Sequence, residues 1–344
     1  MNNSLTRATL LVSLLMLSGC ELVVMDPSGD VASQQADLIV YSTIMMLIVI
    51  LPVMAMTVFF AFHFRASNKN ATYEPDWDHS ISLEIVIWSV PMAIIICLAG
   101  LTWVATHRLN PYDPLTRIDE TTPVTEDVEP LQVQVVALDW KWMFIYPEYK
   151  IATVNELASV VDRPIEFKLT SETVMNAFYI PAMSGMIYTM AGMETELNAV
   201  LNEPGSYDGF SANYSGAGFS HMRFKMHAFD QAGFDAWVDG VRSSDTALNR
   251  AQYLETATPS IDDPVRFFSS VEDGLWEAIL NRCVDGESLC QNDMMMVDAL
   301  GGGGLLGLHN REIYRGMCLA DDSRALLALL KPAARDQWQL FAEY

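Results

Sequence analysis

Ser211-Ala212-Asn213-Tyr214-Ser215-Gly216-Ala217-Gly218-Phe219-Ser220-His221-Met222 is the stretch around which the chain is organised. Its small residues and two glycines mark a loop, and it separates two runs with strand periodicity. Upstream, Met193, Thr195, Leu197, Ala199 and Leu201 are expected to share one face of a strand. Downstream, Met222, Phe224, Met226 and Ala228 alternate with His221, Arg223, Lys225 and His227. The polar side chains of the loop are mostly hydroxyls and an amide.

Further strands lie before it. Leu131, Val133, Val135 and Ala137 alternate with Gln132 and Gln134 and lead into Trp140-Lys141-Trp142. Ile165, Phe167 and Leu169 alternate with Glu166, Lys168 and Thr170. Short strands between Gly/Pro turns predict a β-sandwich or small barrel over residues 131–242. A helix closes it, with Asp230 as its cap and Phe234, Trp237, Val238 and Val241 on one stripe.

Pro111, Pro114 and Pro123 with intervening acidic residues mark 111–130 as a linker. Before it, residues 20–110 read as a transmembrane hairpin. Leu38 to Phe62 and Ile85 to Thr106 contain no charged residue and are long enough to cross a bilayer. Trp88 and Trp103 stand near the ends of the second run as interfacial anchors, and Cys97 within it is a small apolar residue. The intervening loop carries Arg65 and Lys69, whereas residues 21–37 carry neither Lys nor Arg. The positive-inside rule places that loop in the cytoplasm and both ends outside. Residues 1–19 read as a secretion signal, with Arg7 before an apolar stretch from Ala8 to Leu17. Leu17-Ser18-Gly19-Cys20 resembles the bacterial lipoprotein box, which predicts lipidation of Cys20. Glu84 opens the second span. A carboxylate there either complements the helix dipole or serves proton uptake, and physics alone leaves the two even.

The 344 residues carry a net charge of −23, which excludes nucleic acid as a partner because phosphate neutralisation needs a basic patch. The acidic surface is a solvated face or a steering field for a cationic protein. Residues 243–344 read as an acidic, irregular or helical extension, with short helices expected around 274–282 and 324–330. Gly301 to Gly304 break it. Cys283 and Cys290 can pair in an oxidising compartment, but with Cys318 the count is odd and the pairing stays open. His221 and His227 share a face with Arg223 and Lys225, which disfavours a bound cation. The twenty methionines are core filler.

Three stretches together resemble subunit II of the haem-copper oxidases. Leu83-Glu84-Ile85-Val86-Ile87-Trp88-Ser89-Val90-Pro91 is similar to the start of the family's second helix. Asp139-Trp140-Lys141-Trp142-Met143-Phe144-Ile145-Tyr146 is similar to its aromatic strand. Asn176-Ala177-Phe178-Tyr179-Ile180-Pro181 and the 211–222 loop resemble its two metal-binding segments. The resemblance covers roughly residues 20–242 and implies a cupredoxin-like β-barrel.

Members that oxidise cytochrome c hold a binuclear copper centre on two cysteines, a glutamate, two histidines and a methionine. Here those places hold Asn176, Ser211, Asn213, Ser215 and Phe219, with only Met222 kept. A copper pair needs bridging thiolates, because soft sulfur shares charge between the metals, so no copper site is expected. Met190-Ala191-Gly192-Met193 and Asn202-Glu203-Pro204-Gly205-Ser206-Tyr207-Asp208-Gly209 resemble the copper-free branch, the cytochrome bo-type ubiquinol oxidases. That resemblance implies a proton-pumping complex that oxidises ubiquinol and reduces oxygen to water. The haems and copper are expected in subunit I, further small membrane subunits beside it, and no catalytic residue in this chain. It also implies that Glu84 lies at a proton-pathway entrance and that Trp140 and Trp142 pack against subunit I. Two other assignments stay compatible. One is a cytochrome c oxidase subunit with altered electron entry, favoured by the acidic surface. The other is a stand-alone lipoprotein that binds through a copper-free cupredoxin fold.

Overall fold

The computed structural model describes residues 22–299, apart from 73, 126, 127 and 287. The signal segment 1–19, Cys20, Cys318 and the helix expected at 324–330 lie outside the described residues.

Two long helices, α1 (Asp30–His63) and α2 (Ile81–Arg108), contain the two uncharged runs and extend past both ends of each. At about 1.5 Å per residue, α1 is roughly 50 Å long against a hydrocarbon core of about 30 Å. The most apolar window of each helix has none of its residues buried within the chain. Lipid or another polypeptide has to cover those surfaces. Pro52 and Pro91 lie inside the helices.

The outer turns of α1 dock onto the β domain. Asp30, Val31, Ala32 and Ala36 are buried there. The amides of Gly29 and Ala32 donate to Ala182 O (3.0 Å) and Met183 O (3.3 Å). A Cβ at Gly29 would sit 2.3 Å from Val200 O, so only glycine allows this approach.

Ten strands follow in chain order. They are β1 (Leu131–Leu138), β2 (Lys141–Tyr146), β3 (Ile151–Val154), β4 (Glu156–Val160) and β5 (Ile165–Ser171), then β6 (Asn176–Tyr179), β7 (Ile187–Thr189), β8 (Thr195–Ala199), β9 (Gly205–Ser211) and β10 (Arg223–Phe229). Helix α3 (Gln231–Arg242) closes the barrel at the expected point, and the Asp230 carboxylate accepts from Gly233 N. Beyond it come β11 (Ala247–Leu248), α4 (Arg250–Ala257), β12 (Arg266–Phe268), β13 (Ser270–Val271), α5 (Leu275–Leu280) and α6 (Gln291–Ala299).

One sheet has the order β12-β3-β2-β1-β5-β8 and the other β4-β10-β9-β6-β7. Parallel pairing of β1 with β5, and of β4 with β10, carries the chain between layers. The expected transmembrane hairpin followed by a cupredoxin-like barrel therefore holds. Its core is aromatic: Phe178 stacks on Phe224 at 5.3 Å, and Trp142 meets Phe178 edge-on at 5.4 Å.

Two expectations need correction. Met193 does not share the core face of β8; it precedes the strand, in the turn after β7, and is exposed. The extension is also less irregular than its composition suggested. β12 pairs antiparallel with β3, adding an edge strand to the first sheet. Leu248, Tyr253, Phe268, Leu275 and Ile279 then form a second core against Val136, Leu138, Met143 and Ile145. This cover explains the unbroken apolar run from Trp142 to Tyr146. β2 is buried on both faces, so it does not alternate. Cys283 and Cys290 form a disulfide after α5.

Candidate functional site

β6 begins at Asn176 and β9 ends at Ser211, and their antiparallel pairing sets Phe178 opposite Ser211. Asn176 and Ser211 are both buried. The single Ser211 hydroxyl proton is shared between Asn176 Oδ1 (3.2 Å) and Asn213 O (3.3 Å). Asn176 Nδ2 donates to Val174 O at 3.1 Å, and Asn213 Nδ2 donates to Met175 O at 3.0 Å. Ser211 N donates to Met222 O at 3.2 Å, which draws the buried Met222 to the same place. Asn176, Ser211, Asn213 and Met222 thus converge, as the sequence alignment of the two segments required.

Ser215 and Phe219 lie on the other arm of the loop, over Trp140. Phe219 meets Tyr214 edge-on at 5.5 Å. The Trp140 indole donates from Nε1 to Ser215 O at 3.0 Å. A Cβ on Gly218 would lie 2.5 Å from the Trp140 ring, and Gly216 at φ +110° also borders it. Trp140 is the second residue of the β1–β2 turn, with φ 65°. A bulky residue in the left-handed region is uncommon, so the loop clamps a turn that its own backbone disfavours. The Ser215 hydroxyl is buried and has no hydrogen-bond partner among the described residues.

The donor set does not fit a binuclear copper centre. Amides, hydroxyls and one thioether have no thiolate to bridge two metals, and most of their polar atoms are already engaged with one another. Among the described residues no group of three or more His, Cys, Asp or Glu is arranged to hold a metal.

Trp142 requires a correction. It is fully buried in the barrel core beside Phe178 and Phe224, so it has no surface to offer a neighbouring subunit. Trp140 is half-buried and keeps an accessible edge. Glu84 lies in the first turn of α2, half exposed, with His79 Nδ1 2.6 Å from its Oε1. His221 and His227 lie on the outward side of β10, each within 4 Å of one carboxylate, Asp262 and Glu156 respectively.

Sequence reasoning missed a buried ionic clasp beside the site. Lys141 Nζ lies 3.0 Å from Asp263 Oδ2, and both side chains are nearly inaccessible, at 1% and 6%. Lys141 also donates to Thr258 O (2.9 Å) and to the Ser260 hydroxyl. Asn155, at φ 59°, accepts from Trp142 N through Oδ1 (2.9 Å) and donates to Asp263 O through Nδ2 (2.8 Å). Burial alone would raise the Asp263 carboxyl pKa, but bonds from Arg266, Lys141 and Ser260 outweigh it and hold it below the usual value. The sequence signal was a lone lysine inside an aromatic strand.

Residues 242–287 match the family model described as COX Aromatic Rich Motif, the part of the chain that covers β2 and β3. Subunit 2 of the cytochrome bo(3) ubiquinol oxidase of Pseudomonas putida is 47% identical over 271 residues, covering 79% of this chain and 83% of that protein. Ubiquinol oxidase subunit 2 of Acetobacter aceti is 48% identical over 276 residues, 80% of this chain and 87% of its own length. Among solved structures, the periplasmic domain of cytochrome oxidase subunit II from Bradyrhizobium japonicum aligns at 20% identity. That alignment has a TM-score of 0.31 and covers 32% of this chain and 91% of that one, too weak a likeness to carry an argument.

Proposed function

The chain belongs to the family of ubiquinol oxidase subunit 2, and on that premise we propose that it serves a membrane complex that oxidises ubiquinol and reduces oxygen to water. The observation that carries this is the chemistry of the loop. Asn176, Ser211 and Asn213 stand where an electron port needs soft ligands, and they bond to each other and to backbone instead. Ubiquinol delivers electrons from within the bilayer, so the outer domain needs no redox centre. The haems and copper belong to the partner subunit I in this scheme, and this chain contributes structure and proton access.

Glu84 is the proton-entry group. It opens α2 on the side of the Arg65/Lys69 loop, which the charge bias places in the cytoplasm, and an imidazole stands at hydrogen-bond distance. A proton taken up by His79 from water can pass from Nδ1 to Glu84 Oε1 and on toward subunit I. Trp140 packs by its open edge against subunit I. Cys20 carries the lipid anchor, and the β domain lies on the periplasmic side of the inner membrane. The test is purification of the complex in mild detergent, followed by parallel assays with ubiquinol and reduced cytochrome c and by copper analysis. Ubiquinol oxidation with copper confined to subunit I is expected. Cytochrome c oxidation, or copper bound to this chain, would overturn the assignment.

A further inference from the structure

The outer turns of α1 stand above the bilayer. The uncharged run begins at Leu38 but the helix begins at Asp30, so about two turns lie at headgroup depth. Arg108 ends α2 alongside them. Between these turns, the start of the linker and the β domain is a cleft of about 440 Å³. A second cleft of about 440 Å³ lies between the two helices, lined by Leu38, Tyr41, Leu101 and Val104. The two share Gln34, Arg108, Leu109 and Arg117, so together they make one passage that is polar above and apolar below.

Charge in the upper part is unequally used. Arg117 is held by Asp30 through two 2.8 Å hydrogen bonds. Arg108 and Asp113 line the same cleft, and neither has an ion-pair partner among the described residues. A spare cation and a spare carboxylate above an apolar slot match a headgroup that carries phosphate and ammonium on an acyl chain. We propose that this passage holds a zwitterionic phospholipid from the leaflet adjoining the β domain. Its phosphate lies on Arg108, its ammonium beside Asp113, and one acyl chain lies between α1 and α2. The site requires only that the hairpin cross a bilayer, and it is independent of which reductant the complex uses.

The assembled complex, purified in mild detergent, is labelled with phosphatidylethanolamine that carries a photoreactive group on an acyl chain. Labelling of residues 38–41 and 101–109 is expected. Arg108→Glu removes the phosphate partner, and Ala105→Trp fills the slot between the helices without changing charge. Each variant is expected to reduce that labelling by about fivefold or more. Each should also release one phospholipid per complex in native mass spectrometry. Equal labelling and lipid retention in wild type and both variants overturns the site. So does recovery of ubiquinone, or of a segment of another subunit, cross-linked in the passage. Should a variant fail to assemble, the wild-type labelling map decides alone. Ubiquinol oxidation is measured on the same preparations. A complex that turns over ubiquinol but is unlabelled at the passage refutes the lipid site and leaves the function standing.

Discussion

Replacing Asp263 with alanine should destabilise the β domain far more than replacing Lys141 with methionine. Both groups are buried, but their partners differ. Asp263 is bonded by Lys141, Arg266 and Ser260, so in Lys141→Met it keeps the Arg266 cation. Methionine fills the lysine stem, and the loss is confined to the bonds to Thr258 O and Ser260, about 1–2 kcal/mol. In Asp263→Ala the Lys141 ammonium stays at 1% exposure with only a carbonyl and a hydroxyl for company. An uncompensated buried charge costs about 3–5 kcal/mol. Adding Lys141→Met to Asp263→Ala removes the stranded ammonium, so the double variant should be more stable than Asp263→Ala alone. The full-length chain in detergent, unfolded in urea and followed by tryptophan fluorescence, measures all three. The pH dependence has a defined sign. The folded Asp263 pKa is depressed, so its contribution is complete above the unfolded value of 3.8 and fades as pH falls through the folded one. Wild type and Asp263→Ala should therefore converge in stability below about pH 4. Equal losses for the two single variants, or a cost for Asp263→Ala below about 1 kcal/mol, would refute a shared clasp.

Gly218→Ala drives a methyl into the Trp140 ring and should cost about 1–3 kcal/mol with a shifted tryptophan emission; an unchanged spectrum and stability would mean the loop does not clamp that turn. Burial, and for Tyr253 also the Glu172 charge, push the hydroxyls of Tyr146 and Tyr253 above the ordinary value. In an absorbance titration both should stay protonated after exposed tyrosines have ionised near pH 10, and simultaneous ionisation of all tyrosines counts against this packing. Reducing the Cys283–Cys290 disulfide should lower local protection of residues 281–299 by about 2–3 kcal/mol in hydrogen exchange while the barrel strands keep theirs; uniform loss would place the bond in the global core. Glu84→Gln should slow turnover and proton pumping together without loss of haem, and wild-type rates would remove Glu84 from proton entry.

The hairpin, the alternating strands and the closing helix could all be read from the chain, because each is a local pattern. Uncharged runs of bilayer length, period-two alternation and a capping aspartate act within a few residues of themselves. The chemistry of the loop was equally legible, since serine and asparagine lack thiolates in any fold. Contacts between distant segments were not. Lys141 meets Thr258 and Ser260 at separations of 117 and 119 residues. Only folding shows that the extension lies over β2, turning Met143 and Ile145 inward and leaving Trp142 without a surface. The left-handed Trp140 and the shape of the passage above the helices are tertiary facts of the same kind. Periodicity records which side of an element is apolar; what covers that side is decided when the segments meet.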